Sequence, residues 1–450
     1  MLSNIDKIID SNLDDAIKML KELVSFPSVL DEYKDNSVAP FGNANKDALE
    51  YLLNRAKKDG FVTKNVDNYA GHIEFGTGND ILGILAHLDV VPVNKEEWTS
   101  DPFKLDIRDG KMFGRGSVDD KGPLVASYYA MKILKDLGFK PNIRVRLIAG
   151  CDEESGSRCM HHYLSKEEIP TLGFSPDADF PGIYGEKGMI SYDIVGIADD
   201  IISEFVCGDR YNVVPSLAKM KLKIDLKKEY MEFLSETGYD GEIVEDTYIM
   251  RGVASHAMCP ENGINACYRM FEFLKKYTNS KLASFMDEYF INDTKGEKIG
   301  YYIYDPDMKG LTSNLAVLMV ENNNFRIGVN CRVPIDSQLD VVSSKANLAA
   351  NKYGYKVNVL STSKRHYVDP NSSLVKTLLK SYQETTGDYE SKPITIGGGT
   401  YARELKNAIA FGALLPGRED VCHIKDEYMY IEDFKIAMKI YIKSIYELSK

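Results

Sequence analysis

Five short segments of this 450-residue sequence carry ionisable side chains where an apolar run stops. ILGILAHLDVVP, residues 81–92, ends in His87 and Asp89. GRGSVDDKGP holds Asp119 and Asp120, and IAGCDEESGS holds Asp152, Glu153 and Glu154. FSPDADFP holds Asp177 and Asp179, and LLPGREDVCHIKDE holds His423. Residues i and i+2 of a strand point the same way, so His87 and Asp89 face one spot. Either they satisfy each other in the core or together they hold something there. Carboxylates gathered in one desolvated cleft repel one another, and cations remove that repulsion. Mixed imidazole and carboxylate ligands suit Zn2+ best, with Mn2+ and Co2+ as alternatives. One carboxylate can bridge two such ions about 3.5–4 Å apart.

The elements around these segments predict how they meet. LDDAIKMLKELVSF and NKDALEYLLNRAKKDG have helical periodicity. The strand ending near Asp89 follows, then a helix from Pro123 to Gly138, the strand NIRVRLIAG, a short helix after Ser155 and the strand TLGFSP. Strand and helix in alternation predict an α/β fold, a mostly parallel sheet with helices on both faces. From about Gly188 the texture changes to half-exposed antiparallel strands, KGMISYDIVG and LAKMKLKIDL, with the amphipathic helix GINACYRMFEFLKKY. NLAVLMVENNNFRIGVNCRVP reads as two strands around an Asn-rich turn. The predicted domains are therefore 1–185, an inserted α+β domain over 186–366, and 367–450 returning to the first. In the last part, SSLVKTLLKSYQETTG is helical, NAIAFGALLPG is a buried strand and EDFKIAMKIYIKSIYEL is a closing helix. Ligands of open α/β sheets bind beyond the carboxyl ends of the strands, so the five segments should converge at one edge.

Composition narrows the partners. A net charge of −12 argues against nucleic acid, which requires clustered Lys and Arg. No apolar run approaches the ~20 residues of a membrane span, and MLSNIDKIIDSNLDD has no apolar signal core, so the expected location is the cytoplasm. The seven cysteines are scattered and odd in number, as reduced thiols in a reducing compartment would be.

The ordered set HLDVVP, GRGSVDDKGP, CDEESGS, SPDADFP and a late histidine resembles the dinuclear zinc peptidase family, which includes carnosinases, aminoacylases and succinyl-diaminopimelate desuccinylase. Chain length and the large inserted domain look most like its bacterial peptidase V (PepV) branch. The resemblance implies a cofactor of two divalent metal ions. Asp119 would bridge them, His87 and Asp177 would complete one site, and Glu154 and His423 the other. It implies Glu153 as general base, Asp89 orienting His87 through its second ring nitrogen, and a cis peptide between Asp119 and Asp120. GVASHAMCPENGINA resembles the family's lid motif, which implies His256 as oxyanion donor. Asn212, in DRYNVVP, and Arg332, in VNCRVP, match the family's positions for the substrate carboxylate, which an Arg fork grips bidentately. In IGGGTYAR, Gly398, Gly399 and Thr400 are expected to touch substrate.

The implied activity is hydrolysis of unblocked L-dipeptides, β-alanyl dipeptides included, by a monomer whose lid lies within one chain. N-acyl-amino-acid deacylation or desuccinylation at the same metals is the rival activity, and a catalytically silent metal-binding scaffold is the rival of another class. Asp120 has a second reading as a helix cap, and the Gly-rich run as a loop requiring positive φ. His72 and His366 have no partner motif, and His161 and His162, adjacent on a helix, face different directions and read as solvent or packing residues. Cys151 and Cys422 read as small buried residues.

Overall fold

A computed structural model of the chain describes residues 4–199 and 201–450. They form two compact units. One comprises Met1–Gly185, Tyr367–Ile394 and Gly399–Lys450; the other comprises Glu186–His366 and Thr395–Gly398. Each has its own cluster of buried apolar side chains. The sequence reading assigns residues 395–398 to the first region, and they group with the second instead. Hydrogen bonds explain the excursion. Thr395 Oγ1 donates to the Asp307 carbonyl at 2.8 Å and Lys187 N–H to the Ile396 carbonyl at 3.0 Å. The Gly397 carbonyl accepts from Arg332 Nη1 at 2.9 Å.

In the first unit the strand Ile81–His87 is buried along its whole length, as a central strand covered on both faces must be. It runs parallel to Arg144–Gly150 on one side and to Leu172–Ser175 on the other. Ala408–Ala410 continues the parallel order beyond Leu172–Ser175. The hairpin of Val62–Val66 and Ala70–Phe75 adds antiparallel strands beside Arg144–Gly150. Successive residues of Ala70–Phe75 point to opposite faces. Space at Gly71 is taken by Leu49 and Leu53 of the helix Asn43–Lys58, while His72 meets Tyr163 of the helix Arg158–Lys166. Ile183–Glu186 pairs antiparallel with Ala408–Ala410, so the sheet is mixed, parallel at its centre and antiparallel toward both edges, rather than mostly parallel, and helices cover both its faces.

Two local expectations change. The helix expected from Pro123 spans Lys121–Asp136, and Asp120 at its N-cap makes no capping bond with its side chain. Its Oδ2 accepts the His87 backbone N–H at 3.1 Å instead, so the chain end of the central strand has claimed the cap. The strand expected in NAIAFGALLPG is split into Ala408–Ala410 and Ala413–Leu414, because Gly412 turns the backbone at φ +79°.

The second unit is built on an antiparallel sheet. Its order is Gly241–Val244, Thr247–Arg251, Leu217–Leu222, Ile202–Cys207, Thr312–Glu321, Asn324–Val333, Gly188–Ile197 and Lys356–Ser363. The Asn-rich turn joins Thr312–Glu321 to Asn324–Val333, with Asn322 and Asn323 both left-handed, a conformation Asn tolerates. Phe271 and Leu274 of the helix Ala266–Tyr277 lie in the apolar cluster of this sheet. Among the described residues no helix is long and apolar enough to cross a membrane.

Candidate active site

The carboxyl end of the central strand delivers His87 into the first unit's interior, fully buried. Its Nδ1 lies 2.9 Å from the Asp89 carbonyl oxygen. A carbonyl only accepts, so Nδ1 carries a proton, and in the neutral ring it is Nε2 that presents the lone pair. That Nε2 faces Asp119 Oδ1 at 3.0 Å and Asp177 Oδ2 at 3.6 Å. On the other side, His423 Nε2 meets Asp119 Oδ2 at 2.9 Å and Glu154 Oε1 at 3.0 Å. The two oxygens of Asp119 thus serve two different imidazoles. His87, Asp119 and Asp177 form one group able to hold a metal ion, and Asp119, Glu154 and His423 form another, the ligand atoms of each lying within 4.8 Å of one another.

Lone pairs facing carboxylates require a positive charge between them, and the protonation equilibria say the same. Burial works against charge on His87, but contacts with Asp119, Asp177 and Asp89 outweigh it and hold the imidazole well above its usual pKa. Burial likewise opposes charge on His423, and Asp119 and Glu154 lift it to about 11. Burial would raise Asp119, yet His423 and His87 pull it far below the carboxylate range. Burial and the Asp119 charge push Glu154 up to about 7, and the same two causes raise Asp177. Burial and the Asp177 charge raise Glu153 well above its usual value. Without a metal, protons do the work of cations here. Imidazole nitrogens and carboxylate oxygens are also the donors divalent ions of the zinc type prefer, so the set fits such ions.

Asp89 differs in detail from the expectation. Its backbone carbonyl, at 2.9 Å, orients the His87 ring, while its carboxylate Oδ1 stands farther off at 3.5 Å. The carboxylate instead takes the backbone N–H groups of Glu153 and Glu154, each at 3.0 Å. It fixes the turn from which those two side chains diverge, because two adjacent N–H donors are a better match for its two oxygens than one ring nitrogen. The Asp119–Asp120 peptide is cis. Tyr401, which sequence reasoning passed over, packs edge-on against the His87 ring, with centroids 6.2 Å apart. Its hydroxyl lies where a Cβ on Gly150 would sit, 2.3 Å away. Gly150 pairs with His87 across the sheet, so a glycine at that strand end was the one available signal. Thr400 caps the short helix Tyr401–Glu404 by accepting the Ala402 N–H. Gly398 and Gly399 do not have positive φ, which removes the loop-strain reading of the Gly-rich run.

The remaining candidates lie in the second unit. Val213 and His256 form an isolated antiparallel bridge, and Ala257 N–H donates to the Asn212 carbonyl at 2.9 Å. Asn314 Nδ2 donates to the carbonyls of Tyr211 and Val213 on either side of Asn212. His256 Nδ1 accepts the Met258 N–H at 3.2 Å, which leaves the ring proton on Nε2 and makes that nitrogen a donor. Arg332 is buried, with Nε on Asn330 Oδ1 at 2.8 Å.

Comparison with known proteins places this geometry. The model of "Peptidase family M20/M25/M40" matches residues 83–447. A Bacillus subtilis protein named "Putative dipeptidase YtjP" is 39% identical over 457 residues, covering 97% of this chain and 98% of that one. Human carnosine dipeptidase 1 superposes with a TM-score of 0.63 at 15% identity, covering 100% of both chains. The dipeptidase Dug1p of Saccharomyces cerevisiae does so with a TM-score of 0.61 at 15% identity, covering 99% of both. The match to the family model takes in the ionisable residues of all five segments, and the chain is a member of peptidase family M20/M25/M40.

Proposed function

We propose that the protein is a metal-dependent dipeptidase that hydrolyses unblocked L-dipeptides, β-alanyl dipeptides among them. The observation that carries the reading is Asp119, whose two oxygens meet His87 and His423 separately. His87, Asp119 and Asp177 would hold one divalent ion and Asp119, Glu154 and His423 a second, with Zn2+ preferred by the donor set and Mn2+ or Co2+ as alternatives. Bound ions would supply Lewis acidity to the scissile carbonyl and to water. The names of the relatives support dipeptides as the substrate class.

The chain's own groups have the following parts in this reading. Glu153, held at the turn that Asp89 clamps and raised in pKa by burial and by Asp177, takes a proton from water and delivers it to the leaving amine. Asp89 keeps that turn and the His87 ring in place. His256 offers its Nε2–H to the oxygen that becomes negative in the transition state. Arg332 and Asn212 take the substrate's terminal carboxylate, which measures substrate length. Gly398, Gly399 and Thr400 line the substrate backbone. His256 and the metal ligands belong to one chain, so the reading takes a monomer as the active species. Free cysteines agree with a reducing, cytoplasmic location.

The test is hydrolysis by chelated protein with Zn2+ or Mn2+ added back. The panel is Leu-Leu, β-Ala-His, a tripeptide, N-acetyl-Met and N-succinyl-diaminopimelate. Metal-restored cleavage of the dipeptides alone is expected. Cleavage of an acyl substrate alone transfers the protein to the deacylases, and cleavage of the tripeptide at an equal rate removes the length gauge from Arg332.

A further inference from the structure

Glu427 is fully buried beside the candidate active site and has no part in the proposed chemistry. Each of its oxygens takes two donors. Oε1 accepts the backbone N–H groups of Val118 at 3.0 Å and Asp119 at 3.2 Å. Oε2 accepts Arg115 Nη1 and the Gly116 N–H, the latter at 3.1 Å. The Glu427 carbonyl accepts the Gly114 N–H at 2.9 Å, so Gly114, Arg115, Gly116, Val118 and Asp119 all bond one residue. Arg115, also buried, reaches back to the Ile424 carbonyl at 3.2 Å. One residue earlier in the chain, the Asp426 carboxylate takes Thr99 N–H and Oγ1 at 2.9 and 2.8 Å. The segment pinned in this way is the one that carries His423, itself in a left-handed backbone conformation at φ +63°. One carboxylate thus joins the loop bearing Asp119 to the loop bearing His423, and their side chains meet at 2.9 Å.

We infer that Glu427, with Arg115 as its counter-ion, is a positioning residue that sets the approach of Asp119 to His423 and so the affinity of the ion position formed by Asp119, Glu154 and His423. This rests on the two-ion reading of the site. A buried Arg–Glu pair is a poor source of net stability, because desolvation offsets the attraction. Its worth lies in geometry: four donors from one loop, residues 115–119, converge on two oxygens carried by the other, and no neutral side chain of that shape matches them. Glutamine has one acceptor oxygen, and its amide group would face N–H donors. Groups outside the ligand shell that orient the ligands are worth about 10–100-fold in metal affinity.

The experiment is a Zn2+ titration of chelated full-length protein against a competing chromophoric chelator, with the melting temperature of the metal-free protein measured in parallel. Wild type should take two ions, and His423→Asn should lose one, which identifies that position. Glu427→Gln should weaken the same position by about 10–100-fold and move the other by less than about threefold. Wild-type affinity at both positions, with only a lower melting temperature, makes Glu427 a fold residue and overturns the inference. Equal weakening of both positions overturns its selectivity for the His423 side. A wild type that binds fewer than two ions overturns the two-ion reading itself, before any substitution is considered. If Glu427→Gln does not fold, Arg115→Lys, which keeps the charge but loses the fork, is held to the same expectation and the same reversals.

Discussion

In the first unit the side chains of interest touch one another: His87 and His423 both meet Asp119, and Glu154 and Asp177 close the two groups. In the second unit the side chains of interest are held by scaffold instead. His256 and Asn212 hang from a two-strand bridge, steadied by Asn314, and Arg332 rests on Asn330 and the Gly397 carbonyl. Near Asn212, the Tyr211 ring lies over Gly328 and its hydroxyl bonds Asp193 and Arg326. The first arrangement gathers like charges and holds together only with protons or metal ions between them. The second is a lattice of hydrogen bonds in which the Asp193 carboxylate faces a guanidinium, Arg326, rather than another carboxylate. Metal and acid should therefore act on the first unit and leave the second unit's geometry alone.

The sharpest break of that contrast is chemical. Glu153→Gln should lower turnover by about 10^2–10^4 while metal content and melting temperature stay at wild-type values. Parallel assays of rate and bound metal check it, and a rate within a few-fold of wild type removes Glu153 from the base role. Chelation comes next. Ions at a hundred times their dissociation constant stabilise the state that binds them by about 2.7 kcal/mol. Hydrogen exchange should accordingly show Ile81–His87 and Arg144–Gly150 losing protection in chelator, with Thr312–Glu321 unchanged. Loss spread equally over both units would erase the comparison.

Arg332→Met should act the other way. A charge-assisted hydrogen bond is worth about 1.5–3 kcal/mol, so kcat/KM on dipeptides should fall roughly 10–100-fold, mainly through KM, with zinc content unaltered. The smallest effect contrasts histidines within the first unit. In metal-free protein His423, raised to about 11, stabilises the fold below pH 6.5, and that contribution fades as pH climbs toward its folded pKa. His72 has the opposite sign. Burial and the nearby Arg146 charge depress it to about 3, and its Nδ1 lies 2.7 Å from the Tyr163 hydroxyl. The unfolded chain therefore binds a proton first, and stability drops as pH falls from 6.5 toward 3, by at most about 1.4 kcal/mol per pH unit. His72→Gln, which does not titrate, should flatten that acid slope in urea melts; an unchanged slope would remove His72 from the acid response.

Much of the site was legible because its residues obey local rules. A histidine two positions before an aspartate at a strand end, and acidic runs after further strands, mark the carboxyl edge of a parallel sheet whatever the loops do. The alternation of elements likewise conveyed the fold class. What remained hidden depends on partners distant in the chain. Nothing near Asp89 says that its carbonyl rather than its carboxylate holds His87, since that choice is made by the N–H groups of Glu153 and Glu154. Nothing near residues 395–398 says that Asp307 and Arg332 draw them into the second unit. Tyr401 looks like any aromatic residue until Gly150 leaves room for its hydroxyl.

The sequence by itself determined which donor types exist, their order along the chain and their places at strand ends, because side-chain periodicity is a property of single elements. The tertiary structure alone decided that Asp119 turns one oxygen to each histidine and that Glu427 ties the loops which carry them. Such pairings join residues from 32 to 308 positions apart, and only the packed sheet and its loops bring their atoms within hydrogen-bond reach.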